Sequence, residues 1–125
     1  MPETRRIYIA GPMSNIPDFN FPAFNKAAAK FRAEGWVVIN PAENFGGKTD
    51  LPRSEYMRLD ILLLMQCSHI TFLPGWTESR GALMEYLLAH ELGLCMVWQD
   101  INPIIDISAQ VADRLSKALQ RSKVC

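Results

Sequence analysis

Four short runs of apolar, β-favouring residues each give way to a turn and then to a stretch with helical spacing; this alternation is the feature that most limits the fold. The runs are RRIYIA (Arg5 to Ala10), WVVI (Trp36 to Ile39), Ile70 to Leu73, and LCMVW (Leu94 to Trp98). Gly11-Pro12 stops the first and Pro74-Gly75 the third. Between them, helices are expected from about Pro22 to Glu34, from Ser54 to about Gln66, and from Arg80 to Leu92. The first is capped by Asn20 or Phe21 and carries an apolar stripe of Phe24, Ala27, Ala28 and Phe31. A last amphipathic helix is expected from Ser108 to about Ser122, with Val111, Leu115, Ala118 and Leu119 on one face. The order βαβαβαβα, with strands apolar on both faces, predicts a doubly wound (Rossmann/flavodoxin-like) α/β domain. Its parallel sheet has about four strands, is flanked by helices, and is joined by right-handed crossovers.

A chain of 125 residues is expected to form one domain, residues 1–125, with a core that needs neither disulfide nor metal. Hydrophobic residues at 49% and charged residues at 21% exclude a disordered chain. Thirteen basic and thirteen acidic residues cancel, which argues against duplex nucleic acid or an anionic membrane as partner. Cys67, Cys95 and Cys125 form no C-x-x-C pair, which fits reduced thiols in a cytoplasmic protein. His69 and His90 have no ligand-spaced neighbours, so no metal is expected, nor any other cofactor. Apolar runs such as Ile61 to Met65 are far too short to span a membrane, and the start MPETRR does not read as a signal peptide.

In doubly wound folds, ligands bind beyond the carboxyl ends of the strands. The loops there are Gly11 to Asn20, Asn40 to Arg53, Pro74 to Ser79 and Gln99 to Ile107. Glu85 lies in GALMEYLLA, and its same-face neighbours Gly81, Ala82, Leu88 and Ala89 include no cation. A carboxylate on an apolar helix is costly unless it has a purpose or simply faces water, and the small residues above it leave space for a ligand. Asp60, among Tyr56, Met57, Leu63 and Leu64, is similar. Two such carboxylates at one sheet end suit acid, base or nucleophile chemistry. Ser79 reads equally as a helix cap and as a phosphate donor. Arg80 is an anion ligand or a solvated arginine. Tyr8, at the strand end beside Gly11, reads as core or as catalytic, and Trp76, Phe19 and Phe21 as packing or as a stacking surface for a flat base.

The segments YIAGPM (Tyr8 to Met13), DFNFPAFNKAAAKFRAEGWVVINPAE (Asp18 to Glu43) and LPGWTESRGALMEYLLAHELGL (Leu73 to Leu94) resemble a phage and prophage family grouped with the nucleoside 2-deoxyribosyltransferase superfamily. The likeness runs from Ile7 to about Trp98. It implies that Glu85 is the nucleophile at C1′ of a deoxyribose, that Asp60 protonates the departing base, and that Tyr8 orients the glutamate. It places Gly11, Ser79 and Gly81 around the substrate, and Arg80, with Pro12, Met13 and Asn20 of the first loop, is expected beside them. Transferases of this kind carry an aspartate where this chain has Ser79, whereas the 2′-deoxynucleoside 5′-phosphate N-hydrolases carry a serine that serves the phosphate.

The resemblance therefore implies hydrolysis of a 2′-deoxynucleoside 5′-monophosphate, with base exchange or non-catalytic nucleotide sensing as alternatives. Those hydrolases have an arginine in the first loop where this chain has Ser14, which leaves Arg80 or Arg53 as substitutes. The expected partners are a small nucleotide or nucleoside and further copies of the chain. A homo-oligomer, at least a dimer, is expected to use apolar surface on the second and third helices, from Ile61 to Met65 and from Leu83 to Leu88.

Overall fold

The computed structural model describes residues 5–99 and the isolated positions 113, 116 and 117. Strands β1 (Arg6–Ala10), β2 (Val37–Ile39), β3 (His69–Phe72) and β4 (Cys95–Trp98) alternate with helices α1 (Phe21–Ala33), α2 (Arg53–Leu64) and α3 (Arg80–Glu91). Each expected strand and helix in this range is present, with ends displaced by a residue or two. The expected helix from Ser108 to Ser122 lies outside the described residues.

The strands form one parallel sheet in the order β2-β1-β3-β4. Chain order and spatial order part company between β1 and β3, because the chain leaves β1 for β2 on one side and returns to β3 on the other. That switch point opens a crevice between neighbouring loops, and it is where folds of this kind bind ligands.

Successive residues of β1 serve opposite faces, as strand geometry requires. Ile7 and Ile9 join a core with Phe24, Ala27, Ala28 and Phe31, the stripe of α1. Tyr8 and Ala10 join a second core with Leu64 of α2 and with Ala82 and Ala89 of α3. Helices thus cover both faces of the sheet. Of the apolar surface expected to support assembly, Leu62 and Met65 are exposed. Leu83 is buried and Leu88 packs against the second core, so α3 presents less apolar surface than its sequence suggests.

The loops include short 3-10 turns at Pro17–Asn20, Pro41–Gly47 and Trp76–Glu78. Arg32 of α1 grips Glu43 through two hydrogen bonds of 2.7 and 2.8 Å, fixing one side of the loop after β2. The turn after β1 rides directly on the end of β3. A Cβ at Gly11 would stand 2.8 Å from Leu73 Cβ, so that close approach requires glycine.

Candidate functional site

A cavity of about 290 Å³ opens at the switch point. This is at the small end of the range of about 300–1,000 Å³ for small-molecule pockets. Its wall collects residues from three loops and three helices: Gly11, Met13, Ser14 and Phe19 after β1; Pro41, Lys48, Thr49 and Leu51 after β2; Ser79 after β3; and residues of α1, α2 and α3.

Tyr8, Asp60 and Glu85 all line it, although they come from a strand and two different helices. The period of α3 turns Glu85 inward, and the alternation of β1 turns Tyr8 to meet it. The Tyr8 hydroxyl donates a hydrogen bond to Glu85 Oε2. Glu85 is 5% exposed and Tyr8 fully enclosed. Burial pushes the Glu85 carboxyl up to about 8, against the pull of the Tyr8 hydrogen bond; the Asp60 charge raises it further and the Arg53 charge opposes. Burial, followed by the neighbouring Glu85 charge, holds the Tyr8 phenol well above its ordinary range. Asp60 accepts a 2.7 Å hydrogen bond from Asn44 Nδ2. Burial lifts Asp60 to about 6, and that hydrogen bond works in the other direction.

Burial favours the protonated form of both carboxyls and acts more strongly on Glu85 than on Asp60. A buried phenol and two carboxyls with displaced pKa values on the floor of a cleft are an arrangement able to hold and pass a proton.

The second half of the wall is suited to an anion. Ser79 caps α3, its Oγ accepting from Ala82 N–H at 3.2 Å. A hydroxyl accepts and donates at once, so the cap leaves its proton free for a ligand oxygen, and the two expected roles are compatible. Gly81, also in the wall, carries one of the unpaired N–H groups of the first turn of α3. Its missing side chain faces Met57 of α2, whose sulfur would lie 3.4 Å from a Cβ there.

Arg53, at the first position of α2, lines the cavity, whereas Arg80 is exposed and outside the lining. The cation available to an anionic ligand is therefore Arg53, with Lys48 beyond it. Burial and the neighbouring Arg80 charge hold the Arg53 guanidinium slightly below its usual range.

Two first-loop residues expected beside the substrate, Pro12 and Asn20, sit outside the wall. Pro12 is buried, and Asn20 donates from Nδ2 to the Pro12 carbonyl at 2.9 Å. Asn20 occupies the N-cap position of α1 without a side-chain cap bond. Its amide instead ties together a loop in which Asp18, Phe19 and Asn20 are all left-handed, with φ of 54°, 53° and 61°. Phe19 and Phe21 line the cavity. Trp76 does not; its ring packs 4.6 Å from Phe72 and 5.2 Å from Tyr86, out of reach of a ligand in the cavity. Asn44, Lys48 and Thr49 were not singled out by sequence reasoning, because the loop from Asn40 to Arg53 has no periodicity that assigns its side chains a direction, and Tyr56 and Met57 were placed only as helical neighbours of Asp60.

His69 stands at the other end of its strand, edge-on to Trp36 at 4.7 Å. Among the described residues, His, Cys, Asp and Glu form no group of three able to hold a metal ion. No helix there is long and apolar enough to cross a membrane.

Fold and site together define a doubly wound α/β protein with a small cleft, acidic at its floor and cationic on one flank. The chain belongs to the family described as Domain of unknown function (DUF4406), whose model matches residues 5–98. No curated protein matches the chain.

Proposed function

We propose that this protein hydrolyses the N-glycosidic bond of a 2′-deoxynucleoside 5′-monophosphate. The observation that carries the reading is the Tyr8–Glu85 hydrogen bond on the floor of a cleft that also contains Asp60. Ionised Glu85 attacks C1′ of the sugar, and the C1′–N bond breaks with its electron pair leaving on the base. Protonated Asp60 supplies the proton that the base takes away. A water then attacks C1′, Asp60 accepts its proton, and Glu85 departs as carboxylate with Tyr8 still hydrogen-bonded to it. Arg53, the Ser79 hydroxyl and the first N–H groups of α3 hold the phosphate. Phe19 and Phe21 offer apolar surface to the base.

This cycle uses the form with the proton on Asp60 and the charge on Glu85. Burial raises Glu85 further than Asp60, so the protein by itself favours the opposite placement, and substrate binding has to reverse it. The same imbalance is the observation that favours a second reading, a nucleotide-binding module in which neutral Glu85 only donates a hydrogen bond. Base exchange between nucleosides ranks lower, because Ser79 tolerates a phosphate that an aspartate would repel. The assembly is proposed to be a homo-oligomer with Leu62 and Met65 of α2 in its interface.

Incubation with a panel of deoxynucleoside monophosphates, followed by chromatography of the free base, tests the reading. Base release with one or more of the panel is expected. Calorimetric binding without any base release would establish the sensing module instead.

A further inference from the structure

The loop after β2 carries a second feature of the site. Its 3-10 stretch breaks at Asn44 (φ −64°, ψ 142°) and passes through Phe45 (φ 54°, ψ 31°) and Gly46 (φ 65°, ψ 24°). An aromatic residue in the left-handed region is unfavourable and persists only where its surroundings impose it.

The surroundings here are one face of α2. The Phe45 ring stands edge-on to Tyr56 at 5.6 Å, and Asn44 Nδ2 reaches Asp60 Oδ1 at 2.7 Å. Tyr56 and Asp60 are four residues apart and so share that face. The Tyr56 hydroxyl closes the clasp, donating to the Lys48 carbonyl at 2.7 Å and accepting from Leu51 N–H at 3.1 Å. The loop is thus bent into an uncommon conformation whose outcome is an amide placed on a carboxyl of the cavity wall.

We propose that Asn44 is a positioning residue for Asp60, holding Oδ1 as a hydrogen-bond acceptor so that Oδ2 is the oxygen that gains and loses the proton. The amide N–H only donates, so it serves Oδ1 in both protonation states of the carboxyl. The ionisable groups that share the cavity with Asp60 are Glu85 of α3, Tyr8 of β1, Arg53 and Tyr56 of its own helix, and Lys48 of the loop after β2. The Tyr8 hydroxyl is committed to Glu85, which leaves Asn44 as the donor to Asp60 among the described side chains. The direction of the Asn44 effect on Asp60, towards the ionised form, agrees with this geometry.

The catalytic consequence rests on the proposed hydrolysis, but the proton placement does not. Carboxyl carbon NMR titration of the intact protein separates the two. In Asn44→Leu, and in Asn44→Ser should the leucine variant fail to fold, the Asp60 midpoint is expected to rise from about 6. With the best substrate, kcat is expected to fall tenfold or more at nearly constant KM, the loss of a fixed Oδ2 outweighing the larger share of protonated Asp60, and the acidic limb of the pH profile to move upward with the NMR midpoint. An Asp60 midpoint unchanged in the folded variants would reduce Asn44 to a loop tether and overturn the proposal. A displaced midpoint in a protein that releases no base would uphold the proton placement while removing the hydrolysis.

Discussion

Ile7 and Ile9 enter the layer beneath α1 and join its apolar core, while Tyr8, between them in sequence, enters the opposite layer and meets Glu85. One strand therefore borders two unlike interiors. Beneath α1, Phe24, Ala27, Ala28 and Phe31 pack on the sheet, and the buried Asn40 donates to Asn25 Oδ1. Beneath α2 and α3, the core is interrupted by a phenol and two carboxyls, with Arg53 and Lys48 as cations facing the same cavity. Burying a carboxyl without an ion pair costs stability unless it keeps its proton, so the second layer is less stable for its size than the first. The contrast separates a layer that holds the fold from a layer that holds a site, within a single four-stranded sheet.

The sharpest way to break this contrast is Glu85→Gln. The amide still accepts from the Tyr8 hydroxyl, so the fold and ligand binding should survive, but base release should fall by several orders of magnitude because nothing else can form the covalent bond. Unchanged turnover in the folded variant, measured by the chromatographic assay, would remove Glu85 from the chemistry. The mirror experiment lies in the other layer. Phe31 is 3% exposed and stands edge-on to Trp36 at 6.0 Å. Phe31→Ala should cost about 3–5 kcal/mol in denaturant unfolding and leave base release per folded molecule intact.

The pH dependence of stability sharpens the comparison further. Glu85 and Asp60 both have folded-state values above their ordinary ones, at about 8 and about 6. The native state then binds more protons than the unfolded chain from about pH 4 to 8, so stability is full below that window and declines as pH rises through it. The fall should amount to a few kcal/mol on the order-of-magnitude scale of such shifts. Thermal melts should show a lower Tm at pH 8 than at pH 5. Glu85→Gln should raise the pH 8 value and flatten the slope, whereas Phe31→Ala should lower the whole curve without changing its slope. A parent protein with equal Tm at both pH values would contradict the burial argument.

The smallest effect belongs to Ser79. Loss of a hydroxyl donor to a charged oxygen is worth about 1.5–3 kcal/mol, so Ser79→Ala should weaken monophosphate binding roughly tenfold or more. Binding of the nucleoside without phosphate should be nearly unchanged, and Ser79→Asp should reject the monophosphate by like-charge repulsion. Calorimetric titration of both ligands decides this. Equal weakening of the two would leave Ser79 as a cap for α3 and nothing more.

The elements that sequence reasoning located are those whose signal is local. Helical spacing marked the buried stripe of α1, and each strand was marked by its run of apolar residues. Glu85 and Asp60 stood out because no cation lay three or four residues away on the helical face of either, which is again a local observation. The Tyr8–Glu85 contact links residues far apart in the chain, and only a family resemblance suggested it. Trp76 was equally readable as packing or as a stacking surface, and the long-range neighbours Phe72 and Tyr86 decide that its ring is turned away from the cavity. Asn44 gave no signal, since its direction depends on a left-handed Phe45, a conformation that sequence seldom announces outside glycine and asparagine. Arg53 and Arg80 look alike on paper. Their separation into cavity wall and exposed surface follows from where α2 and α3 begin relative to the switch point.

The contact between Gly11 and Leu73 bears on how such a site can diverge. With 2.8 Å between a would-be methyl at position 11 and Leu73 Cβ, that corner of the cleft has no spare thickness. Reshaping it for a different ligand would push β1 and β3 apart, and the sheet would register the change before the ligand did. Ser14 is exposed and Lys48 and Thr49 belong to a long loop, so those positions can drift while the framework stays still. New ligand preferences in descendants of this chain must therefore be written on the far rim, with the glycine corner inherited unaltered.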